Sequence, residues 1–123
     1  MSVSSKDFLQ FASECLSREE EIWHRNATAR AYYAAYHYTR KHFPLAPQKS
    51  HESLIQYLTG KEAARTEALP QNLLKSLGFI LHDMKKYRII ADYELDKTVS
   101  LKDAESAIQQ CNKLIQRIIE ATT

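Results

Sequence analysis

The sequence has 123 residues, of which only two are glycine and three are proline, with 44 % hydrophobic and 26 % charged side chains. This length fits one domain, residues 1–123, which needs no disulfide or metal for stability, and the scarcity of chain breakers favours long helices over many strands. The formal net charge of +2 is too small to identify a nucleic-acid-binding protein by itself.

The composition also bears on location. No apolar run approaches the roughly 18 residues that a membrane span requires, and the N-terminus has no signal-peptide pattern. Cys15 and Cys111 lie within apolar helical patterns far apart in the sequence, so we expect two buried free thiols. These features predict a cytoplasmic protein without a membrane partner.

The first two predicted helices occupy the N-terminal third of the chain. Residues 6–18 carry an apolar stripe with spacings of three and four, preceded by Ser4 or Ser5 as the N-cap. The stripe consists of Phe8, Phe11, Ala12, Cys15 and Leu16. Residues 24–43 contain no breaker and form the predicted central helix, which ends before Pro44.

The remaining chain predicts a short helix and two long ones. Ser50 caps the short helix, which starts at His51 and ends at Gly60, and residues 61–70 read as a loop. A long helix follows Pro70 to about Arg88, residues 89–99 form a partly extended connection, and Ser100 with Asp103 opens the last helix. Gly78 lies inside the long helix, where it costs about 1 kcal/mol relative to alanine, so we expect a neighbouring helix close to it. The predicted fold is all-α: an up-down helical bundle of four main helices plus one short helix.

The central helix carries a line of polar residues. Arg30 and His37 are seven positions apart, which is two helical turns and about 20° of rotation, with Tyr33 and the small Ala34 between them. Residues 25–41 contain four cations and no carboxylate, namely Arg25, Arg30, Arg40 and Lys41. This local excess of positive charge indicates a site for an anion.

An arginine and a histidine together can cleave RNA without a metal. The guanidinium matches a phosphate and stabilises the charge that gathers on it, while the imidazole takes or gives a proton near neutral pH. Tyrosine rings beside them can stack on unpaired bases. An Arg–His pair at this spacing also occurs by chance in many helices, and tyrosines at helical spacing are often core residues, so the spacing alone leaves both interpretations open.

Several blocks in order resemble one family. RAYYAAYH (30–37), HESLIQYL (51–58) and the segment around Arg88 with Ala91, Asp92 and Tyr93 resemble small stand-alone bacterial and archaeal proteins of the HEPN superfamily. HEPN stands for higher eukaryote and prokaryote nucleotide-binding domains. The resemblance covers about residues 5–118 and implies a helical bundle that forms a homodimer.

The resemblance also implies an activity. Many HEPN domains are RNases in which R-x(4–6)-H motifs of two subunits meet in a cleft, and Arg30-x6-His37 fits that spacing. It implies Arg30 and His37 as catalytic residues, and Tyr33, Tyr36, Arg40, Lys41 and His51 as residues that bind RNA or line the cleft. Many such proteins are toxins or phage-defence effectors paired with a minimal nucleotidyltransferase antitoxin.

Three further expectations concern Ala31, the set of histidines and His51. In many active HEPN RNases the residue after the arginine is polar, whereas here it is Ala31, so a non-catalytic module that docks a nucleotidyltransferase or another partner is the alternative function. The five histidines form no HExxH or paired i,i+4 set, so we expect no metal and no cofactor. His51 opens a helix, where the dipole opposes a protonated imidazole, so we expect a neutral ring.

Overall fold

A computed structural model describes residues 2–123, and these residues form six α-helices and no strand. The helices are α1 (Ser5–Cys15), α2 (Glu21–His42), α3 (His51–Thr59), α4 (Glu62–Glu67), α5 (Gln71–Tyr93) and α6 (Leu101–Thr122). The all-α bundle predicted from the sequence is confirmed. None of the described helices combines the length and the apolar character that crossing a bilayer requires.

Helix α2 is the centre of the bundle and packs against α1, α5 and α6, while α3 packs against α5. The small side chains of alanine let these neighbours approach α2 closely. As a result, Ala27, Ala31, Ala34 and Ala35 have no exposed surface. Both cysteines are buried and free, as predicted. Arg30, Tyr33 and His37 lie on a part of α2 that its neighbours cover only partly.

Three of the helices begin at the capping residues predicted from the sequence. Ser4, Ser50 and Ser100 are N-caps, and each is part of a capping box. The expected close approach at Gly78 is also present, since a Cβ built there would lie 2.5 Å from Thr59 Cγ2 on α3.

Three predictions about the helices are wrong. Residues 61–70 are not a loop throughout, because α4 forms there and buries Ala63 against the core. Helix α5 does not end near Arg88 but continues to Tyr93, because Ala91 is buried and its carbonyl is bound by a side chain from α2. Phe11 does not face the core and is 44 % exposed.

Candidate active site

Arg30, Tyr33 and His37 form a continuous line of contacts along α2. The Arg30 guanidinium carbon lies 4.8 Å from the centre of the Tyr33 ring, and the Tyr33 and His37 rings stack with centroids 6.3 Å apart. All three side chains are half-buried, while Ala34 beneath them is fully buried. The spacing argument therefore predicted the common face of these residues correctly.

Phe8 of α1 lies against this line and divides the surface around it. Its ring stacks on His37 with centroids 5.5 Å apart and contacts Tyr33 at 6.2 Å. On one side is a depression of about 290 Å³ lined by Val3, Asp7, Phe8, Phe11 and Arg30. On the other side is a depression of about 470 Å³ lined by Val3, Ser4, Ser5, Phe8, His37 and Lys41. Arg30 and His37 thus share a face but open into different depressions.

A third depression continues the basic surface beyond His37. It has a volume of about 420 Å³ and is lined by His37, Arg40, Lys41, Pro44 and Gln48. Arg40 donates a hydrogen bond to the side-chain oxygen of Gln48. Among residues 2–123, no carboxylate lines either depression that contains His37, and neither Arg40 nor Lys41 forms an ion pair. This part of the surface is free to bind an anion.

His51 joins the site from the start of α3. Its ring stacks face to face on Tyr36, with centroids 3.9 Å apart, and its Nδ1 lies 2.8 Å from the hydroxyl oxygen of Tyr32. The same ring forms an edge-to-face contact with Tyr33. Tyr36 is only 5 % exposed, so its ring holds His51 in place and offers no open face to a base.

Arg88 of α5 is a residue of the site whose role sequence reasoning missed. Its Nη2 donates a hydrogen bond of 2.6 Å to the Tyr33 hydroxyl, and its guanidinium carbon lies 5.2 Å from the centre of that ring. Its Nε lies 3.1 Å from a carboxylate oxygen of Asp92, though not in hydrogen-bond geometry. Lys85, Lys86 and Arg88 form a basic cluster near the end of the predicted helix, and this cluster is the sequence signal for Arg88. Because Tyr33 is 55 positions away, no local pattern predicts the contact between Arg88 and Tyr33.

Both histidines of the site have lowered pKa values. Burial lowers the pKa of His37, and the nearby Arg40 lowers it further. Burial also lowers the pKa of His51, with additional effects from Arg88, Lys85, His37 and Arg40. Because the ordinary value is already about 6.5, a lowered pKa favours the neutral form of both rings near pH 7.

Arg25 does not belong to the basic line, although the sequence groups it there. It is 6 % exposed, forms an ion pair with Glu21, and donates hydrogen bonds to the backbone oxygens of Ile90, Ala91, Glu94 and Lys97. These oxygens belong to the end of α5 and the following turn, where helical carbonyls run short of backbone donors. Ile90 O and Glu94 O also accept from the backbone N–H groups of Glu94 and Lys97. Arg25 therefore has a structural role and caps α5.

The residue after Arg30 points into the bundle. Ala31 has no exposed surface and is part of the main hydrophobic core. A polar side chain at this position would have to be buried, so Ala31 contributes to packing and not to the exposed site. In the part of the chain that the structure describes, no three side chains of His, Cys, Asp or Glu are grouped so that they could hold a metal ion.

The helical bundle and its Arg–His line define the class of protein. The family model for the HEPN domain matches residues 4–121, nearly the whole chain, and the protein belongs to this family. The family is of a nucleotide-binding and RNase type, and its domains commonly dimerise and bind RNA. No curated protein and no solved structure matches the chain significantly.

Proposed function

We propose that this protein is a metal-independent endoribonuclease of the HEPN type that acts as a homodimer. The observation that carries the proposal is the contact line of Arg30, Tyr33 and His37 beside a basic surface without a carboxylate partner. Arg30, which forms no ion pair within residues 2–123, supplies a permanent positive charge. Arg40 and Lys41 extend the surface along which an RNA backbone would lie.

Cleavage would proceed through the ribose 2′-hydroxyl. The 2′-oxygen attacks phosphorus while the neutral imidazole of His37 takes the hydroxyl proton, which its lowered pKa permits near pH 7. The bond from phosphorus to the 5′-oxygen breaks, and this oxygen receives a proton from a second histidine in its imidazolium form, which the lowered pKa makes the minor form near pH 7. The products are a 2′,3′-cyclic phosphate and a 5′-hydroxyl end, and Arg30 stabilises the charge on the phosphorus oxygens in the transition state.

A homodimer would supply the second imidazole. One chain carries one histidine in its Arg–His line, whereas the reaction needs both a proton acceptor and a proton donor. The His37 of a second copy would complete the pair, which agrees with the tendency of HEPN domains to dimerise. Phe8 separates the depressions of Arg30 and His37 within one chain, which also favours a site completed by a second copy.

In its biological role the protein would be a cytoplasmic toxin or phage-defence effector controlled by a minimal nucleotidyltransferase antitoxin. The support for this role is the resemblance described above together with membership of the family. A neighbouring gene that encodes a small nucleotidyltransferase, and growth arrest on expression of this protein alone, are the observations that test it.

The test of the activity is RNA cleavage in the presence of EDTA. We expect His37→Ala to lower the rate about 10²- to 10⁴-fold, and Arg30→Ala about 10²- to 10³-fold, because each removes a group that acts on the transition state. Arg65→Ala and His82→Ala are matched controls, since both residues are exposed and lie outside the site. Unchanged cleavage by both site variants would show that the catalytic assignment is wrong.

A non-catalytic binding module is the second candidate function. Ala31 favours it, because the chain lacks the polar side chain that follows the arginine in many active relatives, and Phe8 covers one face of His37. Such a module would bind RNA or a partner protein without cleaving RNA. If binding to RNA weakens steeply with added salt while no product forms, the basic surface is a phosphate-binding track in a non-catalytic domain.

A further inference from the structure

The hydrogen bond between Tyr32 and His51 determines which nitrogen of His51 carries the proton. Tyr32 is fully buried, and within residues 2–123 the only hydrogen-bond partner of its hydroxyl is His51 Nδ1, at 2.8 Å. A buried hydroxyl donor is costly to leave without an acceptor, and burial raises the pKa of Tyr32, so the hydroxyl keeps its proton. Tyr32 therefore donates this proton to Nδ1.

The tautomer of His51 follows from this direction. A neutral imidazole has one nitrogen that accepts and one that donates, so a ring that accepts at Nδ1 carries its proton at Nε2. Burial favours the neutral ring, and the nearby Arg88 and Lys85 favour it further. The start of α3 adds the positive end of a helix dipole. His51 thus presents a neutral N–H donor.

Packing fixes the position of this donor beside the Arg–His line. The face of the His51 ring is stacked on Tyr36, and its edge meets Tyr33 at a centroid distance of 6.0 Å with an interplanar angle of 85°. Tyr36 also contacts His37, with centroids 5.2 Å apart, so the two imidazoles belong to one aromatic cluster. His51 is half-buried and Nδ1 is occupied, which leaves Nε2 as the nitrogen available to a ligand.

We propose that His51 binds a non-bridging phosphate oxygen of RNA by donating the hydrogen bond from Nε2, and that it takes no part in proton transfer. This inference rests on the proposed function in one respect, that RNA is the ligand of this surface. A neutral donor suits a place already surrounded by cations, because it binds a phosphate oxygen without adding another charge that must be desolvated. His51 is then a phosphate-binding residue and Tyr32 is its positioning residue.

The ionisation of His51 is controlled by groups on three helices. Titratable or charged residues around it are Tyr32, Tyr33, Tyr36, His37 and Arg40 on α2, Glu52 on α3, and Lys85 and Arg88 on α5. Glu52 is engaged by Lys85 at 3.1 Å, so its charge is partly neutralised. The remaining charges near His51 are positive, which keeps the ring neutral near pH 7.

The first test measures the tautomer directly and needs no activity. Long-range ¹H–¹⁵N correlation spectra of the whole protein at pH 7.5 distinguish the two neutral forms of each histidine. We expect His51 to carry its proton at Nε2, and we expect Tyr32→Phe to increase the Nδ1–H form of His51. A wild-type His51 protonated at Nδ1 would overturn the proposal.

The second test separates hydrogen-bond donation from proton transfer. The amide nitrogen of glutamine can replace Nε2 as a donor but cannot titrate, so we expect His51→Gln to retain most of the cleavage rate. His51→Ala, which removes the donor, should lose about 10- to 100-fold. The pH–rate profile of His51→Gln should keep the same ionisations as wild type. His82→Ala is the control, and thermal unfolding of each variant verifies folding.

Binding to a 2′-O-methyl RNA, which cannot be cleaved by this route, makes the result independent of catalysis. We expect the affinity to fall on His51→Ala and to be largely restored in His51→Gln. Equal losses in the two variants, or an ionisation missing from the His51→Gln profile, would refute the donor role. If the wild-type protein binds this RNA but cleaves no RNA, the proposed enzymatic function is wrong. The affinities of His51→Ala and His51→Gln still show in that case whether His51 binds RNA as a hydrogen-bond donor.

Discussion

Replacing Arg25 by alanine tests whether this arginine holds the end of α5. The substitution removes a buried guanidinium that donates to four backbone oxygens and pairs with Glu21. The oxygens of Ala91 and Lys97 lose the guanidinium, while those of Ile90 and Glu94 keep the backbone N–H groups of Glu94 and Lys97. Leaving two backbone oxygens without this donor and losing the packing of the buried side chain costs about 3–5 kcal/mol in the free energy of unfolding. A chain of 123 residues then loses roughly 12–20 °C in its melting temperature.

Chemical denaturation followed by circular dichroism measures this loss. Arg25→Lys keeps the charge but not the planar set of donors, so it should recover only part of the stability. Arg65→Ala, at an exposed position of α4, should change the free energy of unfolding by less than about 0.5 kcal/mol. A loss of less than about 1 kcal/mol in Arg25→Ala would refute the capping role.

Two further substitutions test contacts around the site. Gly78→Ala should destabilise the protein by up to about 2 kcal/mol. The new Cβ would lie 2.5 Å from Thr59 Cγ2, a strain of about 1–3 kcal/mol that the better helix propensity of alanine offsets by about 1 kcal/mol. The strain should largely vanish in a Thr59→Ser background. Equal penalties in both backgrounds, measured by urea denaturation, would contradict the contact. Phe8→Ala exposes His37, so the pKa of His37 should rise towards its ordinary value. An NMR titration that finds an unchanged pKa would show that Phe8 does not cause the desolvation.

Local signals explain why most helix boundaries were predictable. A capping serine such as Ser50 or Ser100 binds backbone groups within three or four residues. Both partners of the interaction therefore lie in the same short stretch of sequence, which makes the start of the helix predictable. Pro44 limits α2 for a similarly local reason. The common face of Arg30 and His37 also follows from helical geometry alone.

The features that were not predicted depend on residues far apart in the sequence. Helix α5 extends beyond Arg88 because Arg25, more than 60 positions earlier, binds its last carbonyl groups. The position of Phe8 over His37 and the burial of Tyr36 depend on how α1 and α3 pack against α2. No pattern within one helix contains this information, which is why the common face of Arg30 and His37 was predictable while the accessibility of the residues around them was not.

The link between Arg25 and the end of α5 also affects the order of events during synthesis. Helix α2, with Arg30 and His37, leaves the ribosome well before residues 90–97, which supply the oxygens that Arg25 binds. Contacts between such distant positions form late, because the chain entropy of closing the intervening loop must be overcome first. A nascent chain therefore contains the Arg–His line before it can hold α2 and α5 together. We expect the contacts that join α2 to α5 to form only after residues 88–97 have left the ribosome, so shorter nascent chains would contain the Arg–His line without the hydrogen bond from Arg88 to Tyr33.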